Sequence, residues 1–299
     1  MPSEDEEPET INIDINASVI ELIHKRLALV PDLLQCTELS RLVLRRNKIS
    51  TIENLDNCTN LEELDFNDNQ ITAITNVDHL TNLTEIDLSY NVISKIETIE
   101  NLTNLTFLFL AQNAISKIEG ISTLVNLKYL ELGANKIREI ENLENLLNLE
   151  KLFLGKNKIT KIQGLEKLCN LSCLDIQANR IVKIENLDAN QKLGELYLSH
   201  NGIEEIENLQ ENKELCTVDL SNNKIELLDN LVHLENLSEL WMNDNLVSSF
   251  EELKKIDKLK ELETVYFERN PMYKDTMYRK KIQLYLPGIK QIDATYVRM

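Results

Sequence analysis

Apolar residues recur along this chain in a frame of fixed length. Leu61, Leu64 and Phe66 lead to Asn69, Leu105, Leu108 and Leu110 to Asn113, Leu149, Leu152 and Leu154 to Asn157, and Leu193, Leu196 and Leu198 to Asn201. Asn47, Asn69, Asn91, Asn113, Asn135, Asn157, Asn179, Asn201, Asn223 and Asn245 are spaced by 22 residues without exception, and Asn270 follows after 25. A unit this short cannot bury its own apolar side, so it must stack on its neighbours. The alternation before each Asn predicts a short strand. After each Asn the apolar step becomes three, as in Ile115, Ile118, Ile121 and Leu124, which suits 3₁₀ turns better than a 3.6-residue helix. Each coil is therefore a strand, a turn at the Asn and a tight convex return, with the Asn amide directed inward onto backbone groups.

The pattern continues backwards in degraded form through Ala17, Ile20, Leu22 and Lys25, then Leu27, Val30, Leu33 and Cys36, as an N-terminal coil lacking one neighbour should. After Asn270-Pro271 the period stops. Lys274 to Leu286 predicts a helix laying Met277, Ile282 and Tyr285 over the last coil before Pro287-Gly288 ends it. The expected organisation is an acidic disordered tail over residues 1–10, a solenoid of about twelve coils over 11–270 and a cap over 271–299.

Composition adds limits on partners and compartment. The chain carries 50 acidic against 32 basic residues, a net charge of −18, which repels nucleic acid and anionic lipid and favours basic partners. No apolar run of about 18 residues offers a membrane span, and the start, Met1-Pro2-Ser3-Glu4-Asp5-Glu6-Glu7, is acidic where a secretory signal is basic and then apolar. A soluble, intracellular protein is expected. Cys36 and Cys58 stand one repeat apart in the slot of Leu80, Leu102 and Leu124, so they are core residues in a reducing compartment.

The candidate chemistry lies on the strands. Leucines of the frame point inward, and the residue between the last two points out of the concave sheet. From Val43 that stripe runs Asp65, Asp87, Phe109, Glu131, Phe153, Asp175, Tyr197, Asp219, Trp241 and Tyr266. The chain has 15 aromatic residues, and the two outward positions of each strand hold seven of them, Phe107 and Tyr129 included, where chance would put about one. β-propensity alone would not confine aromatics to one sheet face. Aromatics ringed by charge are the usual anchors of a protein interface, with the acidic members expected to face solvent and to steer a basic partner. Catalysis finds no support. Carboxylates such as Asp65 and Asp87 lie on an open ribbon, the four histidines form no metal-ligand spacing and the seven glycines form no phosphate loop. No enzyme activity and no cofactor is expected. Arg279-Lys280-Lys281 is the one basic cluster, taken as the solvated side of the cap helix.

The coil, the segments Leu154-Gly155-Lys156-Asn157-Lys158-Ile159 and Trp241-Met242-Asn243-Asp244-Asn245, and the cap Glu263-Thr264-Val265-Tyr266-Phe267-Glu268-Arg269-Asn270-Pro271 with Gln291-Ile292-Asp293-Ala294-Thr295-Tyr296 resemble the protein phosphatase 1 regulatory subunit 7 family, a 22-residue leucine-rich-repeat subclass. That resemblance implies an α/β leucine-rich-repeat solenoid, with parallel strands on the concave face, short 3₁₀ turns on the convex face and a helical C-terminal cap. It implies a non-catalytic regulatory subunit that binds the catalytic subunit of the type 1 serine/threonine phosphatase through its concave face. The matching residues are Asp87, Phe109, Glu131, Phe153, Asp219, Glu239, Trp241 and Tyr266. Asp175 and Tyr197 complete the stripe, and Asp175 is acidic where relatives are expected to carry a smaller polar residue. The resemblance further implies a protein that is a monomer on its own, a further phosphatase inhibitor subunit as second partner, and nuclear and cytoplasmic residence. An axonemal or cytoskeletal adaptor built on the same coil is the alternative.

Overall fold

The computed structural model describes residues 12–297, so the tail expected over residues 1–10 lies outside the described residues. Twelve three-residue strands, from β1 (Val19–Glu21) and β2 (Arg41–Val43) to β12 (Thr264–Tyr266), pair in sequence order and in parallel, and β13 (Gln291–Ile292) and β14 (Thr295–Tyr296) continue the sheet. Register is kept throughout, so Phe109 faces Glu131 and Asp219 faces Trp241 on the neighbouring strand. Among the described residues only β13 and β14 pair antiparallel.

The step of three places Ile115, Ile118, Ile121, Leu124 and Leu127 in the core, each fully buried. Around these slots the convex return closes through i→i−3 bonds, Leu124 N to Ile121 O and Leu127 N to Leu124 O, both 3.0 Å. In the 25-residue coil the return lengthens into a continuous 3₁₀ helix, Phe250–Lys255.

Each ladder Asn ties two coils together. Asn135 Oδ1 accepts the Ile115 amide at 2.9 Å, and its Nδ2 donates to Leu110 O at 2.9 Å and to Leu132 O at 3.0 Å. The bond to Ile115 and the bond to Leu110 reach the preceding coil, so a buried amide supplies cross-coil hydrogen bonds where the backbone turns. A second ladder runs seven residues further on, at a left-handed backbone position: Asn76 (φ 56°), Asn142 (φ 60°) and Asn186 (φ 60°) donate to Ile52 O, Ile118 O and Ile162 O at 2.6–2.7 Å. Gly120 and Gly164, both at φ 70°, fill the same slot.

The cap differs from expectation in its start. Pro271–Lys274 forms a 3₁₀ turn and the α-helix α1 begins only at Tyr278, running to Tyr285. Asp275 Oδ1 accepts the Met277 amide at 2.7 Å, which takes the chain out of helical path there. Tyr278 and Ile282, four residues apart, therefore face inward, and Met277 is exposed. The basic cluster is only partly solvated. Arg279 donates to Ile292 O at 2.7 Å and Thr295 O at 3.1 Å, holding the β13–β14 hairpin, and Lys281 pairs with Asp275. Among the described residues no helix is long and apolar enough to cross a membrane.

Candidate functional site

The parallel register lines up two outward rows on the concave face. One carries Asp65, Asp87, Phe109, Glu131, Phe153, Asp175, Tyr197, Asp219, Trp241 and Tyr266, and the other carries Phe107, Tyr129 and Glu239 among its members. The aromatics gather into two groups. On β5 (Phe107–Phe109), β6 (Tyr129–Glu131) and β7 (Lys151–Phe153), the Tyr129 ring sits 5.0 Å from both Phe109 and Phe153 and 6.2 Å from Phe107. On β11 (Glu239–Trp241) and β12, Trp241 packs against Tyr266 at 5.6 Å. Four strand spacings separate Phe153 from Trp241, on the order of 19 Å. Tyr197 stands between them, its hydroxyl donating to Glu195 Oε2 at 3.0 Å. The Trp241 indole nitrogen is buried and has no acceptor among the described residues, so packing rather than a hydrogen bond orients that ring.

The acidic members behave differently from the expectation that they face solvent. Each accepts the amide two residues on: Asp65 from Asn67, Asp87 from Ser89, Glu131 from Gly133, Asp175 from Gln177 and Asp219 from Ser221, at 2.8–3.0 Å. That bond folds the carboxylate down onto the strand end. Asp65 and Asp219 are consequently buried, at 2% and 5% exposure, and Ser221 Oγ also donates to Asp219. The others are half-buried. Burial pushes the Glu131 carboxyl up to about 7, with Asp175 adding repulsion and the Gly133 amide opposing. Burial likewise raises Asp65 and Asp175. Tyr129 is pushed up to about 12, by burial first and by Glu131 second.

Small residues keep the floor beside these carboxylates low. A Cβ at Gly133 would lie 2.6 Å from Glu131 Oε1, and one at Gly155 would lie 3.3 Å from Asp175 Oδ1. The result is a shallow groove of about 430 Å³ bordered by Asp87, Phe109, Glu131 and Asp175. At its N-terminal end Arg45 contacts Asp65 and lies 3.8 Å from Asp87, which offsets part of the negative field. Arg45 was not among the residues singled out in the sequence. Its signal is positional, since it lies two residues past β2 on the side of the sheet that Asp65 shares. Cys173 was missed for the opposite reason: it occupies an outward slot yet is buried, and burial pushes its thiol up to about 12.

A family model described as "Leucine Rich repeats (2 copies)" matches residues 37–79, 59–103, 81–122, 103–145 and 147–189, and one described as "Leucine-rich repeat" matches 172–299. The chain belongs to the leucine-rich-repeat family. Its match to the curated relatives is short. It is 68% identical over 37 residues to "Protein phosphatase 1 regulatory subunit 7" of Mus musculus, a match covering 12% of this chain and 10% of the relative. It is 54% identical over 39 residues, 12% of each protein, to "Protein phosphatase 1 regulatory subunit SDS22" of Schizosaccharomyces pombe. The matched stretch thus spans about a tenth of the curated relatives. Among solved structures, an internalin (inlF) of Listeria monocytogenes superposes with a TM-score of 0.74 at 24% identity, covering 94% of this chain and 87% of that chain. The functional domain of InlJ from the same organism gives 0.75 at 22%, covering 92% and 62%. Those two likenesses are of leucine-rich-repeat fold.

Proposed function

We propose that this leucine-rich-repeat protein is a non-catalytic regulatory subunit that holds the catalytic subunit of a type 1 serine/threonine phosphatase against its concave face. One observation carries the reading: seven of 15 aromatic residues share one face of a parallel sheet, six of them gathered into two groups with Tyr197 and acidic residues between them. Large aromatics fixed by their neighbours lose little entropy on binding and supply most of an interface's energy. The names of the relatives that share the matched stretch supply the identity of the partner. The carboxylates support binding rather than hydrolysis, because they are tied to backbone amides along an open ribbon and converge on no enclosed pocket.

The test is binding kinetics of immobilised protein with the purified phosphatase catalytic subunit. Trp241→Ala and Phe153→Ala, one from each aromatic group, are each expected to cost about 2 kcal/mol or more, read as faster dissociation. Wild-type kinetics in both variants would remove the concave face as the interface.

A further inference from the structure

In the middle of the solenoid the flank that follows the ladder Asn carries a charge pattern opposite to that of the chain. In the four coils from Asn113 to Asn179, the outward positions one, three and four residues after the Asn hold seven cations and one carboxylate, Glu139. The chain as a whole has 50 acidic and 32 basic residues. In the next two coils the same positions hold Glu204, Glu205 and Glu226 against Lys224 alone. Over these six coils the flank therefore changes from basic to acidic.

The backbone stacks the basic part into a ladder. Lys136, Lys158 and Arg180 each donate a main-chain amide to the preceding coil, to Ile115 O, Ile137 O and Ile159 O at 2.8 Å. Their side chains thus rise from neighbouring coils at roughly 4.8 Å intervals. Like charges at that spacing repel. Lys161 and Lys183 have carboxylates within reach, Glu185 at 4.0 Å and Glu207 at 3.7 Å. Among the described residues Lys117, Lys136, Arg138, Lys158 and Arg180 make no ion pair, and all but the half-buried Lys158 are exposed. A row of unneutralised cations on a rigid scaffold, in a chain of net charge −18, is a surface without internal use.

We propose that this basic flank is a second docking surface, and that it takes an extended acidic segment of a partner protein. Four coils span on the order of 15 Å, the length of four or five extended residues. Alternate carboxylates along such a segment lie about 6.7 Å apart, a difference from the coil spacing that long lysine and arginine side chains can take up. A single-stranded nucleic acid is the less favoured occupant, because none of these twelve positions is aromatic and stacking platforms are what non-specific single-strand binders use. The chain's net charge also repels a long polyanion at distance. The flank is separate from the concave face, so its test leaves the proposed function untouched.

The probe is fluorescein-labelled octaglutamate, titrated with the full chain by fluorescence anisotropy at 50 and 200 mM salt. Saturable binding that weakens several-fold at the higher salt is expected. The variant Lys136→Glu, Lys158→Glu, Arg180→Glu should weaken it at least ten-fold. Lys258→Glu with Lys260→Glu, exposed lysines off the ridge, should change it less than two-fold. Should the triple reversal disturb the fold by circular dichroism, the Gln versions of the same three positions are expected to weaken binding at least three-fold. Absence of saturable binding by wild type overturns the proposal, as does equal weakening by the off-ridge variant. An octathymidylate that binds the ridge more tightly than octaglutamate would overturn the choice of occupant.

Discussion

Tyr278 Oη in the cap helix lies 3.1 Å from both carboxylate oxygens of Asp293, and the same carboxylate accepts the amides of Phe267 at 2.9 Å and Glu268 at 3.0 Å. In interior coils the amide equivalent to Phe267 bonds to a carbonyl of the next strand, as Met242 N does to Tyr266 O at 2.7 Å. Asp293 is thus a side-chain replacement for the strand that a further coil would bring. Burial, followed by Asp293, raises the Tyr278 hydroxyl well above its ordinary value of 10.0. A raised folded value means the fold resists ionisation, so this contribution is present below about pH 10 and is lost as pH rises beyond it. Thermal midpoints measured from pH 8 to pH 11.5 are expected to fall less steeply in Tyr278→Phe than in wild type. At pH 8 the variant should be less stable by about 1–3 kcal/mol. Parallel curves would dismiss Tyr278 as the alkaline-sensitive group.

Asn135→Ala removes an acceptor from Ile115 N and a donor to Leu110 O and Leu132 O, all within the solenoid. The expected loss is about 1–3 kcal/mol, whereas Lys136→Ala, at an exposed neighbour, should stay within about 0.5 kcal/mol. Denaturant midpoints compare the two directly, and identical values would deny the Asn ladder its role.

The second ladder makes a substitution test that distinguishes space from chemistry. A Cβ at Gly120 would lie 2.6 Å from Ile96 O, at a φ of 70°. Gly120→Ala is therefore expected to cost about 1–3 kcal/mol. Gly120→Asn should cost distinctly less, because Asn tolerates this conformation and, as Asn142 does with Ile118 O, donates to the carbonyl that crowds the Cβ. Chemical denaturation of both variants settles the order. Equal losses would mean that the amide adds nothing there.

Glu131 gives the concave face a pH dependence near neutrality. Its carboxyl is raised from 4.5 to about 7, burial first. The stability it contributes is fully present below about pH 4.5 and is lost as pH rises through about 7. Glu131→Gln should therefore melt higher than wild type at pH 8, and the gap should close by pH 5. A gap that stays constant over that range would show that Glu131 titrates normally.

How much of this was legible in the sequence differs by level. The strand frame, the stacking and the buried ladder Asn follow from a period that any parallel stack must keep, and Ile115 to Leu127 lie where the step of three put them. The rows of outward residues were equally readable, since alternation on a strand leaves no choice of face. Burial of Asp65 and Asp219 was not. It depends on the carboxylate bending to the amide two residues on, and on Ser221 and Arg45 completing the shell. The second ladder was hidden because Asn, Thr and Gly share one slot, at Asn76, Thr98 and Gly120, and only their common positive φ unites them. The cap start escaped because an Asp275 side chain, not an apolar period, decides where α1 begins.

The antiparallel turn from β13 to β14 is synthesised after all the parallel strands from β1 to β12. A ribosome delivers the coils one at a time, and each new coil finds its predecessor ready to receive it, so assembly proceeds by accretion at a growing front. That front is an unpaired strand edge, the kind of surface on which other chains add. It is retired only when Asp293 has emerged and turned its carboxylate onto Phe267. The parallel strands are therefore all made before the residue that covers their edge exists, and a translational pause just before residue 290 would prolong the exposure of an open strand edge.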